Sequence, residues 1–353
     1  MYFKKEESDR IQIMRALCTV LVVCIHMNIQ NIVLANGSGN FLFPEWLRTI
    51  QYILSECIGR AAVPFFFLCS SMLLYSKKFT FFDNVKKKFH TLFMPYFLCI
   101  SLHILLFLIA QKLPFMAAYF YNGNNRITEW DWIQWLDAYV GKMQRRAPFC
   151  EHLWFIRDLM ILNIFALPIK KIVYRIPIIS GVFCALLWIT NAAPTFLDKQ
   201  AIVFWIVGIL LVKYKAGFQK VDKIPQWILY VAPAFLAMDM ILKANWLHQV
   251  VKVLSLVCLL KITKMIYNRR FKTGKGGVFK ILSQYSLFIY MFHVIIISTM
   301  SKLAVRFIPQ ISLVQLTEYL TFPLLTVVFC VLAAEICRKI CPWLYKTLVG
   351  GRK

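Results

Sequence analysis

Windows of roughly 20 predominantly apolar residues recur from near the start of this 353-residue chain to near its end. A helix of that length crosses a hydrocarbon core about 30 Å thick, whereas an open strand would leave backbone polar groups unpaired in lipid. With 60% hydrophobic and 16% charged residues, the chain is too apolar for a soluble domain. The sequence therefore predicts an all-α, polytopic membrane helix bundle, forming a single domain over 1–353. Spans are predicted near 12–33, 57–76, 92–111, 153–169, 176–191, 200–212, 226–242, 247–266, 281–301 and 318–337, which makes about ten transmembrane helices. The first run has full span length and no small-residue cleavage pattern after it, so it is expected to stay as a helix rather than be removed as a signal peptide.

The net charge of +25 invites a nucleic-acid reading, but the placement of the charges argues for membrane orientation. Of the 41 Lys and Arg residues, 27 collect at the termini and in alternate loops, such as 77–88, 170–175, 213–223 and 261–280. The intervening loops hold 11. The richer set marks the cytoplasmic side and places both termini there. The basic loops are short, with little aromatic interleaving, so no nucleic-acid partner is expected.

The 11 cysteines show no metal-ligand spacing, and no metal site is predicted. Cys57 and Cys150 fall near the predicted outer surface, where an oxidising compartment permits a disulfide. The longest loop, about 112–152, faces outward and carries Trp130, Trp132 and Trp135 beside Glu129, Asp131 and Asp137. That spacing suits an interfacial helix lying on the membrane; a sugar-stacking surface is the alternative.

Ionisable groups inside the spans carry the functional argument, because each is costly to hold there. The first span contains Arg15 and, eleven residues on, His26. Eleven steps of about 100° return within roughly 20° of the starting direction, and eleven rises cover about 16 Å, so the two share one helix face. One reading places a catalytic imidazole near the midplane above a cation at the inner rim. The other has Arg15 snorkelling to headgroups and His26 hydrogen-bonded to a neighbouring helix. His293 in the ninth span, and Arg157 with Asp158 after the run His152-Leu-Trp-Phe-Ile, add polar groups that could line one cavity with them. A neutral imidazole there can take a hydroxyl proton, and a cation can hold a phosphate. Acyl transfer and proton-coupled transport both fit these residues.

Several segments resemble, in order, those of the acyltransferase 3 family of integral membrane acyltransferases. Arg15 and His26 match its pattern of a basic residue, ten residues, then His. Val63-Pro-Phe-Phe-Phe-Leu-Cys-Ser70-Ser71 is similar to its Pro-x-Phe-Phe-x-x-Ser-Gly stretch, and Lys86-Lys87-Lys88 leading to Pro95-Tyr96 to its basic run before a Pro-Tyr. Leu153-Trp154-Phe155 and Tyr290-Met-Phe-His293 resemble two later segments. Three departures stand out: Gln12 replaces a frequent acidic residue, Ser71 the usual Gly, and His90 and Thr91 further basic positions.

The resemblance implies transfer of an acyl group, commonly acetyl, from a coenzyme A thioester to a hydroxyl of a carbohydrate or lipid-linked glycan. His26 would be general base or nucleophile. Arg15, with Lys86, Lys87 or Lys88, would hold the donor phosphates, while Arg157, Asp158 and His293 would contribute to substrate binding. Acetyl-CoA is then a donor substrate rather than a resident cofactor, the partners are lipid and glycan, and the location is a cell membrane, such as a bacterial inner membrane. The rival is a transporter or flippase for a polyprenol-linked sugar or polar solute. The sequence shows no inverted repeat and no helix pair broken by Gly or Pro, features that carriers often use.

Overall fold

The computed structural model describes residues 5–27, 33–34, 37–38, 44–114, 116, 126–145, 147–190, 192 and 196–351. The first predicted span beyond 27, much of the outer loop before 126, and the charges of Lys4, Arg146, Arg352 and Lys353 lie largely or wholly outside the described residues.

The chain is helical. The first helix, α1, covers Lys5–Ile25. Next come α2 (Glu45–Tyr75), which contains a π turn at Tyr52–Ile58, and α3 (Phe81–Lys112), with a π turn at Phe89–Phe93. The outer loop contains α4 (Trp132–Val140). Beyond it lie α5 (Glu151–Ile164), α6 (Ala166–Arg175), α7 (Pro177–Ile189) and α8 (Lys199–Lys213). A short α9 (Phe218–Asp222) precedes the hairpin of α10 (Ile228–Leu242) and α11 (Asn245–Ile266). The chain continues through α12 (Gly277–Phe307), α13 (Ser312–Ile340) and α14 (Pro342–Leu348). A two-residue antiparallel pairing, Val33–Leu34 with Gly37–Ser38, is the only strand structure among the described residues.

Every predicted span overlaps helix, although 12–33 is helical only to Ile25 and 153–169 falls on two helices. Four helices, α2, α3, α12 and α13, are long and apolar enough to cross a membrane. The outer face of α13 shows why lipid is its solvent. Leu320, Leu324, Val328, Leu332, Ile336 and Ile340 recur every fourth residue, and all are exposed. Such a stripe would be an aggregation liability in water and is the natural contact for acyl chains.

Two expectations are corrected. The span predicted over 153–169 is broken at Phe165, where α5 and α6 meet at 69°. Pro168 explains the break: it has no N–H for the Ile164 carbonyl, and its ring crowds that oxygen. The chain does therefore contain a Pro-broken helix pair. The first helix ends at Ile25, so His26 does not sit in mid-helix but in the turn that closes α1, its N–H bonded to the Val23 carbonyl at 3.1 Å.

The chain forms two compact units that interleave along the sequence. The first comprises residues 1–26, 45–84 and 161–286. Its core gathers the fully buried Phe65, Phe67, Met72 and Trp205. There α2 and α8 lie so close that Ser71 donates to the Trp205 carbonyl at 2.7 Å. The Trp205 indole donates to the Tyr75 hydroxyl at 3.2 Å, which donates in turn to the Ala166 carbonyl at 2.8 Å. Arg10 is buried in the same unit, with two bonds to Asp222 at 2.7 and 2.9 Å and a third to the Leu260 carbonyl at 3.0 Å. The second unit comprises 27–44, 85–160 and 287–353.

Candidate functional site

In the first unit, α2 fixes the end of α1 that carries His26. The π turn at Tyr52–Ile58 adds a residue to one helical turn and points Ser55 at α1, where its hydroxyl donates to the Cys24 carbonyl at 2.9 Å. Gly59 completes the contact: a Cβ there would stand 2.9 Å from Ile25 Cγ1, so only glycine lets the two helices approach this far. Arg60, bridged to Glu56 at 3.1 Å, is close enough to act on His26 electrostatically.

About three turns before His26, Arg15 reaches α12. Its Nη2 donates to Ser286 Oγ at 2.8 Å, and Ser286 donates onward to the Ser283 carbonyl at 2.9 Å. The Arg15 guanidinium thus rests on a hydroxyl, with no carboxylate paired to it among the described residues. Arg10, one turn before it, is by contrast neutralised by Asp222. The ion pair that Gln12 cannot supply is not supplied elsewhere among the described residues.

In the second unit, the structure gathers three buried imidazoles, two of which the sequence reading left unassigned. His152 stands between the other two, with ring centroids 5.1 Å from His293 and 6.4 Å from His103. The His293 Nδ1 lies 3.0 and 2.9 Å from the carbonyls of Ile289 and Tyr290, which can only accept, so that nitrogen carries the proton and Nε2 is the basic one. The same holds for His103, whose Nδ1 is 2.8 Å from the Cys99 carbonyl and whose buried Nε2 has no hydrogen-bond partner. His152 uses Nε2 on the Met291 carbonyl at 3.1 Å, and Tyr290 donates its hydroxyl to the His152 carbonyl. His103 was legible by the reasoning that picked out His26, as an ionisable group inside an apolar span.

Arg157 and Asp158 lie in this unit as a brace. Arg157 Nη2 and Nε donate to Asp158 Oδ1 at 2.7 and 3.0 Å, and Nη1 donates to the carbonyls of Val140 and Gly141 at 3.1 and 2.8 Å. Four of its five N–H groups are thus spent on protein, tying α5 to the end of α4. Lys86 and Lys87 are exposed on the first turns of α3, and Lys88 is half-buried. Consecutive residues fan out by about 100°, so the three cannot face one ligand together.

The loop that carries α4 is organised by Asp137. Its carboxylate is fully buried and accepts four backbone N–H groups, from Lys142 at 3.0 Å, Met143 at 2.8 Å, Gln144 at 2.9 Å and Arg145 at 2.6 Å. Burial alone would push this carboxyl up; the four N–H groups overcome it and hold the group below the usual carboxylate range. Arg145 then lies over the Trp130 ring, 4.7 Å from its centroid. Trp132, Trp135 and Leu136 remain exposed on α4. All cysteines are free thiols, so the disulfide that an oxidising compartment would permit between Cys57 and Cys150 is not formed.

In the first unit, α1 thus carries an unneutralised guanidinium, and the turn that closes it carries an imidazole. No curated protein and no solved structure matches the chain. The family model of the acyltransferase 3 acyltransferase domain matches residues 8–335, nearly the whole sequence, and the chain belongs to that family of membrane acyltransferases.

Proposed function

We propose that the protein is an integral membrane O-acyltransferase that moves an acyl group, acetyl first among them, from acyl-CoA to a hydroxyl of a carbohydrate or lipid-linked glycan. The observation that carries this reading is Arg15: a cation held on a hydroxyl rather than a carboxylate keeps its charge for an anionic ligand, and coenzyme A carries several phosphate charges. Lys86, Lys87 or Lys88 is the alternative dock for those phosphates. His26 serves as general base, taking the acceptor's proton as its oxygen attacks the thioester carbonyl. The C–S bond then breaks, and the departing thiolate takes the proton back. Attack by the imidazole first, through an acyl-His26, balances equally well. His293 offers an imidazole to the acceptor, and the Arg157–Asp158 pair positions the outer loop. Ten crossings with both termini inside, in a cell membrane such as a bacterial inner membrane, complete the reading.

The broken α5–α6 pair favours a second reading, a carrier for a lipid-linked sugar or polar solute, since carriers commonly place binding sites at interrupted helices. Isolated membranes given acetyl-labelled acetyl-CoA separate the two. Label moving into glycan or lipid supports the enzyme; solute uptake with no transfer of label overturns it.

A further inference from the structure

Within the first unit, four side chains from three elements converge on one point. Asp239, near the end of α10, is fully buried. Its Oδ2 accepts from the Tyr52 hydroxyl at 2.7 Å and lies 2.9 Å from His248 Nδ1 and 3.9 Å from Cys57 Sγ. The Tyr52 hydroxyl is also 3.2 Å from His248 Nδ1. The ligand atoms of Cys57, Asp239 and His248 all lie within 4.8 Å of one another.

Local structure builds this convergence deliberately. The turn between α10 and α11 passes through Lys243 at a φ of 50°, a left-handed position, and its N–H bonds back to the Asp239 carbonyl at 2.9 Å. That tight reversal brings Asp239 and His248 face to face. The π turn of α2 sets Tyr52 and Cys57 toward them from the other side. Asp239 Oδ1 meanwhile has no hydrogen-bond partner although it is buried. A buried carboxylate oxygen without a donor is costly to hold, so the site is built for something that the four side chains do not themselves supply.

We propose that Cys57, Asp239 and His248 bind a divalent cation of borderline softness, Zn2+ in the first instance, with the Tyr52 oxygen or a water as fourth ligand. Thiolate and imidazole select against Mg2+ and Ca2+, which take oxygen ligands, and one Cys, one His and one carboxylate make an ordinary tetrahedral zinc set. With metal–ligand bonds of about 2.0–2.3 Å, tetrahedral partners stand roughly 3.3–3.6 Å apart. The observed 2.9 and 3.9 Å straddle that range, so side-chain adjustment alone closes the site. Binding releases the thiol proton of Cys57, while the ring proton that faces Asp239 from His248 Nδ1 moves to Nε2, so that a neutral imidazole ligates through Nδ1. The cation also gives Asp239 Oδ1 its missing partner. His248 is partly exposed, with 21% of its side chain open, which gives an ion a way in. Bound metal would clamp the α10–α11 hairpin to α2, the helix that also positions the end of α1.

The test uses the purified full-length protein in detergent. Stripped of metal and titrated with Co2+, it should develop a thiolate-to-cobalt charge-transfer band in the near ultraviolet together with intense visible bands of four-coordinate cobalt. Zn2+ should abolish both at about one equivalent. Cys57→Ser should remove the charge-transfer band, and His248→Gln and Asp239→Asn should each weaken Zn2+ binding by well over the ~10-fold typical of losing even an outer partner. A wild-type protein that gives no charge-transfer band, or a band unchanged in Cys57→Ser and His248→Gln, would mean that the cluster is a hydrogen-bonded network and nothing more. The wild-type titration stands even if a variant fails to fold, and metal content is read without any assay of acyl transfer.

Discussion

Gly208 on α8 rests directly against Ser71 on α2: a Cβ at 208 would come within 2.7 Å of both Ser71 Cβ and Oγ, and within 2.9 Å of the Leu68 carbonyl. The close approach normally provided by a small-residue contact in membrane helices is here provided from α8, opposite the position where Ser71 replaces a family glycine. Gly208→Ala should therefore force the helices apart and lower stability by about 1–3 kcal/mol, with loss of the Ser71–Trp205 bond. Ser71→Gly should be milder. Thermal melts of the two variants in detergent check the order, and equal melting temperatures for Gly208→Ala and wild type would contradict this packing.

His26→Ala should abolish acyl transfer by at least ~10², the scale of losing a proton-transfer group, while membrane abundance stays near wild type. His26→Gln keeps a hydrogen-bonding side chain in the turn after α1 but is no comparable base, and it should be as inactive. Substantial turnover by His26→Gln would reduce His26 to a packing residue held by the Ser55–Cys24 contact.

Arg15→Lys should retain part of the activity and Arg15→Ala very little, because the guanidinium offers a planar fork to phosphate oxygens and the ammonium only a point charge. The defect should fall on the KM for acetyl-CoA, since Arg15 lies about 16 Å along the helix from His26 and contributes alike to ground and transition states. Excess donor should then rescue Arg15→Lys but not His26→Ala. Rescue by acceptor instead would move the donor dock to Lys86, Lys87 or Lys88.

Asp137 predicts a pH dependence in the outer loop. Its folded pKa is depressed, so its contribution is complete above the unfolded carboxyl pKa of about 3.9 and is lost as pH falls through the folded value. Asp137→Asn leaves buried N–H groups without an acceptor and should destabilise by about 1–3 kcal/mol at neutral pH. The gap between wild type and variant should narrow only below about pH 4. Tryptophan fluorescence during melting would follow it, because Trp130 stacks on Arg145, one of the residues whose N–H the carboxylate holds. A gap that closes already at pH 6 would assign the effect to other groups.

The sequence made the helices legible because apolar runs of span length have few other solutions in lipid, and each run overlaps helix, four of them on helices long and apolar enough to cross a membrane. It made Arg15 and His26 legible as misfits in an apolar stretch. The break at Phe165 was also written there, in Pro168, but the apolar window over 153–169 runs through that proline and reads as one span. The imidazole row was half visible: His103 satisfies the same test as His26, whereas its nearness to His152 depends on how α3 and α5 pack. Cys57 and Asp239 could not be paired from spacing, since 182 residues separate them and only the α10–α11 reversal and the π turn of α2 bring them together.

The helices α7, α8 and α10 have 13, 15 and 15 residues, lengths of about 20–22 Å against a hydrocarbon core of about 30 Å. Where such helices cross, hydrophobic mismatch draws the two leaflets together, at a cost of fractions of a kcal/mol per ångström. A bilayer thinned in this way beside the first unit would shorten the path between the two aqueous phases for any ligand held at one of them.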